Sequence, residues 1–309
     1  TSLIESAATF ILVAAALLLL DTPAVPALLV AAISISSSPA VLLHVANETG
    51  AAGPVTEMTK TLVALNSLLS YAVFIALLPL MHYSAGSDLF TMLFQPFYRM
   101  TGSLLLGAVA GVGLHFIARN IRQAPQYRLA LVIGVIMLAV GLASELHLSP
   151  LLIPLVVGVL IRTLEQEVVI SNLEFGPAFE LFFITLFVLA GASLHFGELI
   201  DYAPAVLALV AARSAAKILG VSAAMRLGGQ PLQQGVSTGL LLIPIAGLAI
   251  GLVGTSSTLF PEQAPLIAAI VLGAVTLFEA IGPPLAALAF RLSGEAGKIA
   301  PQRKRRRPR

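Results

Sequence analysis

Apolar runs of roughly 15–25 residues, the length that the hydrocarbon core of a bilayer demands, recur about ten times along this chain. They occupy Ser6–Leu20, Ala27–Val45, Thr61–Met81, Thr101–Ala118, Leu129–Ser144, Ser149–Ile161, Glu180–Phe196, Ala203–Met225, Gly235–Gly254 and Ala264–Phe290, spans A to J in that order. The runs are uniformly apolar, which excludes the alternating ten-residue strands of an outer-membrane barrel. Only 10% of the residues are charged and 58% are hydrophobic. A soluble domain carries about 25% charged residues. The expectation is therefore an all-helical integral membrane protein with about ten spans.

The positive charges suggest a topology. Lys and Arg collect on the cytoplasmic side of membrane proteins. If the basic tail from Arg303 is cytoplasmic, ten spans put the N-terminal side there too, with Lys60, Arg119, Arg122, Arg128, Arg162 and Arg226. The opposite loops hold Arg99 with Asp21, Asp88, Glu145, Glu198, Asp201 and Glu262. Residues 1–292 read as a transmembrane domain, with a core of 1–81 and 203–292 and intervening helices over 101–200. Residues 293–309 read as a basic cytoplasmic tail, a topology signal rather than a nucleic-acid site. The expected location is a bacterial inner or plasma membrane. There is no cysteine, so disulfides and thiolate chemistry are excluded. No phosphate loop, zinc-binding helix motif or nucleophile elbow is present, so neither a cofactor nor enzymatic activity is expected.

Four spans carry polar residues where lipid would penalise them. Span B contains Ser34, Ser36, Ser37 and Ser38 ahead of Pro39, and span I contains Pro244 and Gly247. Proline removes a backbone donor and clashes with the preceding turn, so both helices should break. Broken helices are tolerated at membrane depth only against protein or a wet cavity, and a pair in corresponding positions of two halves is the mark of an inverted-repeat transporter. A simple kink is the plainer reading of either proline alone. Span C carries Asn66 beside Ser67, and span H carries Arg213 and Lys217 four residues apart on one face. A cation at mid-bilayer costs about 2.5–3.5 kcal/mol on the insertion scale, so the basic pair should face protein or water. Lys217 could instead snorkel to the cytoplasmic end. Glu279, about fifteen residues into span J, is the deep carboxylate that the sequence displays, as a functional group or as a partner for Arg213 or Lys217. His44, His115, His147 and His195 sit near span ends and read as interfacial.

Taken in order, these features resemble the monovalent cation/proton antiporters of the second cation–proton antiporter group, the Kef-like and sodium/proton exchanger-like proteins. SSSPAVLLHVANETG from Ser36 is similar to their first broken helix, and LLLIPIAGLAIGLV from Leu240 to their second. ARSAAKILG from Ala212 resembles their basic helix, HLSPLLIPLVVGVLIR from His147 their LSP segment, and ELFFITLFVLAGASL from Glu180 their FF…G stretch. TLFEAIGPP from Thr276 resembles a closing segment found in part of the group. The resemblance implies a fold with two broken crossing helices, exchange of Na⁺ or K⁺ for protons, and a homodimer when full length. Family members begin with two or three further helices, so the chain is expected to be a fragment or a shortened form.

VALNSLLSY, Val63–Tyr71, sits where the family carries a polar pair ending in aspartate, the group for which cation and proton compete. Here the pair is Asn66-Ser67, neither of which can trade a cation for a proton. The resemblance therefore assigns the ion path to Ser37, Ser38, Pro39, Asn66, Ser67, Arg213, Lys217, Pro244, Gly247 and Glu279, while the titrating group must lie elsewhere. Glu279 or Lys217 could supply it. Alternatively the cargo is an anion or organic solute, drawn by the two cations, or the protein is a scaffold that does not transport.

Overall fold

The computed structural model describes residues 1–83, 89–120, 127–164, 185, 188 and 201–298. The eleven helices laid out among them are α1 Ser2–Leu18, α2 Ala24–Ile33, α3 Pro39–Thr49, α4 Pro54–Tyr83, α5 Leu89–Asn120, α6 Arg128–Glu145, α7 Leu152–Leu164, α8 Ala203–Leu227, α9 Leu232–Leu241, α10 Gly247–Leu259 and α11 Ala264–Leu292. Five of them hold stretches long and apolar enough to cross a membrane: Pro54–Leu78, Phe97–Arg119, Arg128–Glu145, Ala203–Leu227 and Ala264–Leu292. Span G, and with it His195 and Glu198, lies outside the described residues except for Thr185 and Val188.

The chain divides into two compact units, Thr1–Phe74 with Val188–Arg309, and Ile75–Phe187. In the first unit, α8 packs against α1 and α9, and α11 packs against α3, α8, α9 and α10. Both interruptions foreseen in spans B and I are present. Residues 34–38 separate α2 from α3, and residues 242–246 separate α9 from α10. Pro39 closes the first interruption. It is the first residue of α3, where its missing N–H would have had no helical partner, and Ser38 caps that helix with its Oγ accepting from Val41 N. Gly247 likewise opens α10.

The second unit is built on α5, α6 and α7, with a core that includes Leu114, Ala118, Val132, Ala139, Ile153, Val157 and Ile161. Helices α5 and α7 come unusually close. A Cβ on Gly107 would stand 2.8 Å from Val156 Cβ and 3.3 Å from the Ile153 carbonyl oxygen, so only glycine allows this approach. Polar groups here are few and local. Ser103 donates to the Arg99 carbonyl at 2.5 Å and accepts from Ser149 N at 2.9 Å.

Three boundaries differ from the sequence expectation in ways that matter. The sequence puts the start of span D at Thr101, but α5 starts at Leu89, so Arg99 is a helix residue rather than a loop residue. The sequence puts the tail from residue 293, but Glu295 is buried and its carboxylate caps α4. Its oxygens accept from Val55 N at 2.7 Å, Thr56 N at 2.8 Å and Thr56 Oγ1 at 2.6 Å. An anion belongs at a helix N-terminus, where unpaired N–H groups and the dipole both favour it. Finally, the apolar run of span A begins at Ser6, but α1 begins at Ser2 and brings Glu5 into the helix.

Candidate functional site

The two interruptions face one another within the first unit. Ser38 N donates to the Pro244 carbonyl at 2.8 Å, and Ser37 Oγ donates to the Leu242 carbonyl at 2.8 Å. Ser34 and Ser36 turn their hydroxyls back onto the carbonyls of Val30 and Ile33, at 2.7 and 2.8 Å. That spares the end of α2 some unpaired acceptors, but several carbonyls remain to be satisfied in a buried place.

Arg213 satisfies them. It is completely buried. One guanidinium nitrogen donates to the Ser34 carbonyl, and the other reaches the carbonyls of Ser36 at 2.8 Å, Leu242 at 3.1 Å and Ile243 at 3.1 Å. The planar fork of arginine lets a single side chain bind both interruptions at once. The guanidinium carbon also lies 5.5 Å from the Phe278 ring centroid. Each helix C-terminus carries roughly half a negative charge, so the ends of α2 and α9 together offset about one positive charge.

Lys217, one turn further along α8, is also completely buried and does not snorkel. Its ammonium donates to the Ile35 carbonyl at 2.7 Å and forms an ion pair with Glu5 of α1. Helices α8 and α9 approach closely at this level: a Cβ on Gly239 of α9 would come within 2.9 Å of the Lys217 carbonyl oxygen. Glu5 is fully buried and also accepts from Thr9 Oγ1 at 3.1 Å, while its Oε2 has no hydrogen-bond partner.

Helix α4 contributes Asn66 and Ser70, one turn apart. Asn66 is buried, and its Oδ1 accepts from Ser2 Oγ at 2.9 Å and Ser6 Oγ at 3.3 Å, both on α1. Ser70 Oγ donates to the Ala32 carbonyl at 2.8 Å beside the first interruption. Ser67 does not join this face. It is half-buried, and its hydroxyl returns to the Val63 carbonyl of its own helix at 2.9 Å. A helix turns about 100° per residue, so neighbours such as Asn66 and Ser67 cannot both look at one partner.

The structure thus brings together Ser37, Ser38, Pro244, Asn66, Arg213 and Lys217 with three residues that the sequence reading passed over: Ser2, Glu5 and Ser70. The carboxylate expected deep in span J is not the partner of the basic pair. Glu279 is half-buried, and its Oε1 has no hydrogen-bond partner. Glu5 supplies the ion pair instead. The signal is present in the sequence as Ser2, Glu5, Ser6 and Thr9, a polar stripe at helical spacing that overlaps the start of an apolar run.

The family model of the sodium/hydrogen exchanger transmembrane domain matches residues 2–288. The chain belongs to the sodium/hydrogen exchanger family. No curated protein matches it. Members of this family are transporters that exchange cations and protons across membranes, so the exchanger is an integral, multi-pass membrane protein and its general function is cation/proton antiport. The buried carbonyls, hydroxyls and carboxylate of the first unit are ligands of the kind that a desolvated cation takes.

Proposed function

We propose that this exchanger moves a monovalent cation, Na⁺ or K⁺, in one direction and protons in the other, and that the exchange takes place in the first unit, where the interruptions meet. The observation that carries the reading is the way in which the two positive side chains are held. The two terminal nitrogens of Arg213 donate to four backbone carbonyls, leaving only its Nε without a partner, and Lys217 is bound by a carboxylate and a fifth carbonyl. Both charges are therefore neutralised by protein oxygens. An anion carrier would keep at least one of them open for its cargo, because a buried cation already paired with oxygens gives little to an anion. The anion reading loses ground on this point.

The inverted-repeat relation of the two broken helices, a homodimer in the full-length protein, and a cytoplasmic C-terminus in a bacterial inner membrane complete the proposal. Ser67 takes no ligand role in it, since its hydroxyl is already bonded within α4. The full-length protein in proteoliposomes, carrying an internal pH dye, tests the function directly. An external Na⁺ or K⁺ pulse should alkalinise the lumen, because the cation entering down its gradient drives protons out. No response to either ion, with the protein folded, sinks the proposal in favour of a scaffold role.

A further inference from the structure

Lys217 shows where a cation sits in this protein. Its ammonium is a tethered monovalent cation held between the Glu5 carboxylate and the Ile35 carbonyl, inside a wholly buried setting. The same carboxylate keeps Oε2 without a partner. Around it, α1 presents Ser2, Glu5, Ser6 and Thr9 on one face, and Asn66 of α4 bonds to that face through its Oδ1 while its Nδ2 has no partner. Oxygens from α1 and from the first interruption therefore meet at the ammonium, and Asn66 of α4 is bonded to the same face of α1. A free alkali cation takes ligands of just this kind, a carboxylate supplemented by carbonyl and hydroxyl oxygens.

We propose that Glu5, on the first helix, is the carboxylate that binds the cargo cation, at the position that the Lys217 ammonium occupies here. This deepens the antiport reading above and rests on it. In the exchange step, Lys217 gives up one proton from Nζ to water, with the bonding electron pair staying on nitrogen. The neutral amine releases Glu5 and the Ile35 carbonyl, and the cation takes those oxygens. The charge of the site is the same before and after: carboxylate with ammonium becomes carboxylate with cation. One cation thus replaces one proton, and the cycle is electroneutral. The other charged group near the pair is Arg213, one turn away on α8, whose two terminal nitrogens bond carbonyls while its Nε has no partner. Helix α2 contributes no ionisable side chain, and α4 meets α1 through the neutral Asn66. The relocated carboxylate also accounts for Ser67, which has no charge to lend.

Proteoliposomes of the full chain test this with Na⁺ and K⁺ pulses on the wild type, Glu5→Gln, Glu5→Asp and Glu279→Gln. The Glu5→Gln protein should fall to the level of empty vesicles. The Glu5→Asp protein, with its carboxylate drawn back by one methylene, should still exchange but need a higher half-saturating cation concentration. Wild-type flux should be indifferent to an imposed membrane potential. Exchange by Glu5→Gln at the wild-type rate, most clearly if Glu279→Gln abolishes it, overturns the assignment and leaves the antiport reading standing. A wild type that is folded but inert to both cations overturns that reading and this one together. If Glu5→Gln does not fold, Glu5→Asp decides: an unchanged half-saturating concentration overturns the proposal. Flux that follows the membrane potential overturns the one-for-one step.

Discussion

The two units of this exchanger treat polar side chains in opposite ways. Among the described residues, the buried polar side chains are nearly all in the first unit, from Ser2 and Glu5 through the serines of the first interruption to Arg213, Lys217 and Glu295; Ser103 is the exception in the second. The second unit exposes Leu105, Val109, Phe116, Met137, Leu138 and Val159 and holds itself together by apolar contact. A helix with an apolar surface is at home in lipid and needs only close packing against its neighbour. An interrupted helix needs partners for every freed backbone group, and so imports polar side chains. The difference teaches that, in this fold, polarity marks where the backbone is broken, and the breaks are where a cargo can be bound.

The largest effect should come from Arg213. Arg213→Ala removes the donor to four carbonyls on both interruptions, and breaking a buried charged network of this sort costs about 3–5 kcal/mol. The variant should melt well below wild type in a detergent thermal-shift assay and should not exchange ions. Arg213→Lys should recover only part of the stability, because a single ammonium cannot span both breaks. If Arg213→Ala melts like wild type, polar density in the first unit is not what holds the breaks.

Glu295→Ala comes next. It strips α4 of its N-terminal cap and leaves Val55 N, Thr56 N and Thr56 Oγ1 without this acceptor, a loss of about 2–3 kcal/mol. Hydrogen exchange at residues 54–57 should speed up in this variant before the rest of the first unit responds. Uniform exchange across the unit would show that the cap is not a local fastening.

Gly107→Ala probes the second unit by its own rule. The new methyl group must push α5 away from Val156 and the Ile153 carbonyl, and overpacking of this kind costs about 1–3 kcal/mol. Thermal stability should fall, while the exchange rate per folded molecule stays at wild type. A loss of transport without a loss of stability would erase the division of labour between the units.

The smallest effects separate two serines on one helix. Ser70→Ala removes a bond to the Ala32 carbonyl at the first interruption and should cost about 1 kcal/mol. Ser67→Ala removes only a bond within α4 and should stay within about 0.5 kcal/mol of wild type, with exchange unchanged. Equal effects in melting and flux would mean that the face of α4 toward the site has been misassigned.

The lesson from these residues is about the kind of information each needs. Pro39 and Pro244 were legible because proline acts on its own backbone, whatever surrounds it. Arg213 was legible as a buried group because a mid-span cation has few alternatives. The partner was not legible. Glu279 is the deep carboxylate that the sequence displays, yet among the described residues it is Glu5 that meets Lys217, because α1 lies against α8. Likewise the adjacent pair Asn66-Ser67 looked like one feature, and the helix turn split it.

By itself, then, the sequence determined that the chain is helical, that it lives in a membrane, that two of its helices break, and that a basic pair is buried among them. These follow from local chemistry: the length of apolar runs, the missing proline donor, and the cost of a charge in hydrocarbon. Only the tertiary structure decided which carbonyls Arg213 ties together, that Glu5 holds Lys217, that Ser70 rather than Ser67 faces the break, and that Glu295 returns from the far end of the chain to cap α4. Each of those is a contact between residues distant in sequence, fixed by which helix faces meet, and no local rule of spacing or propensity encodes that choice.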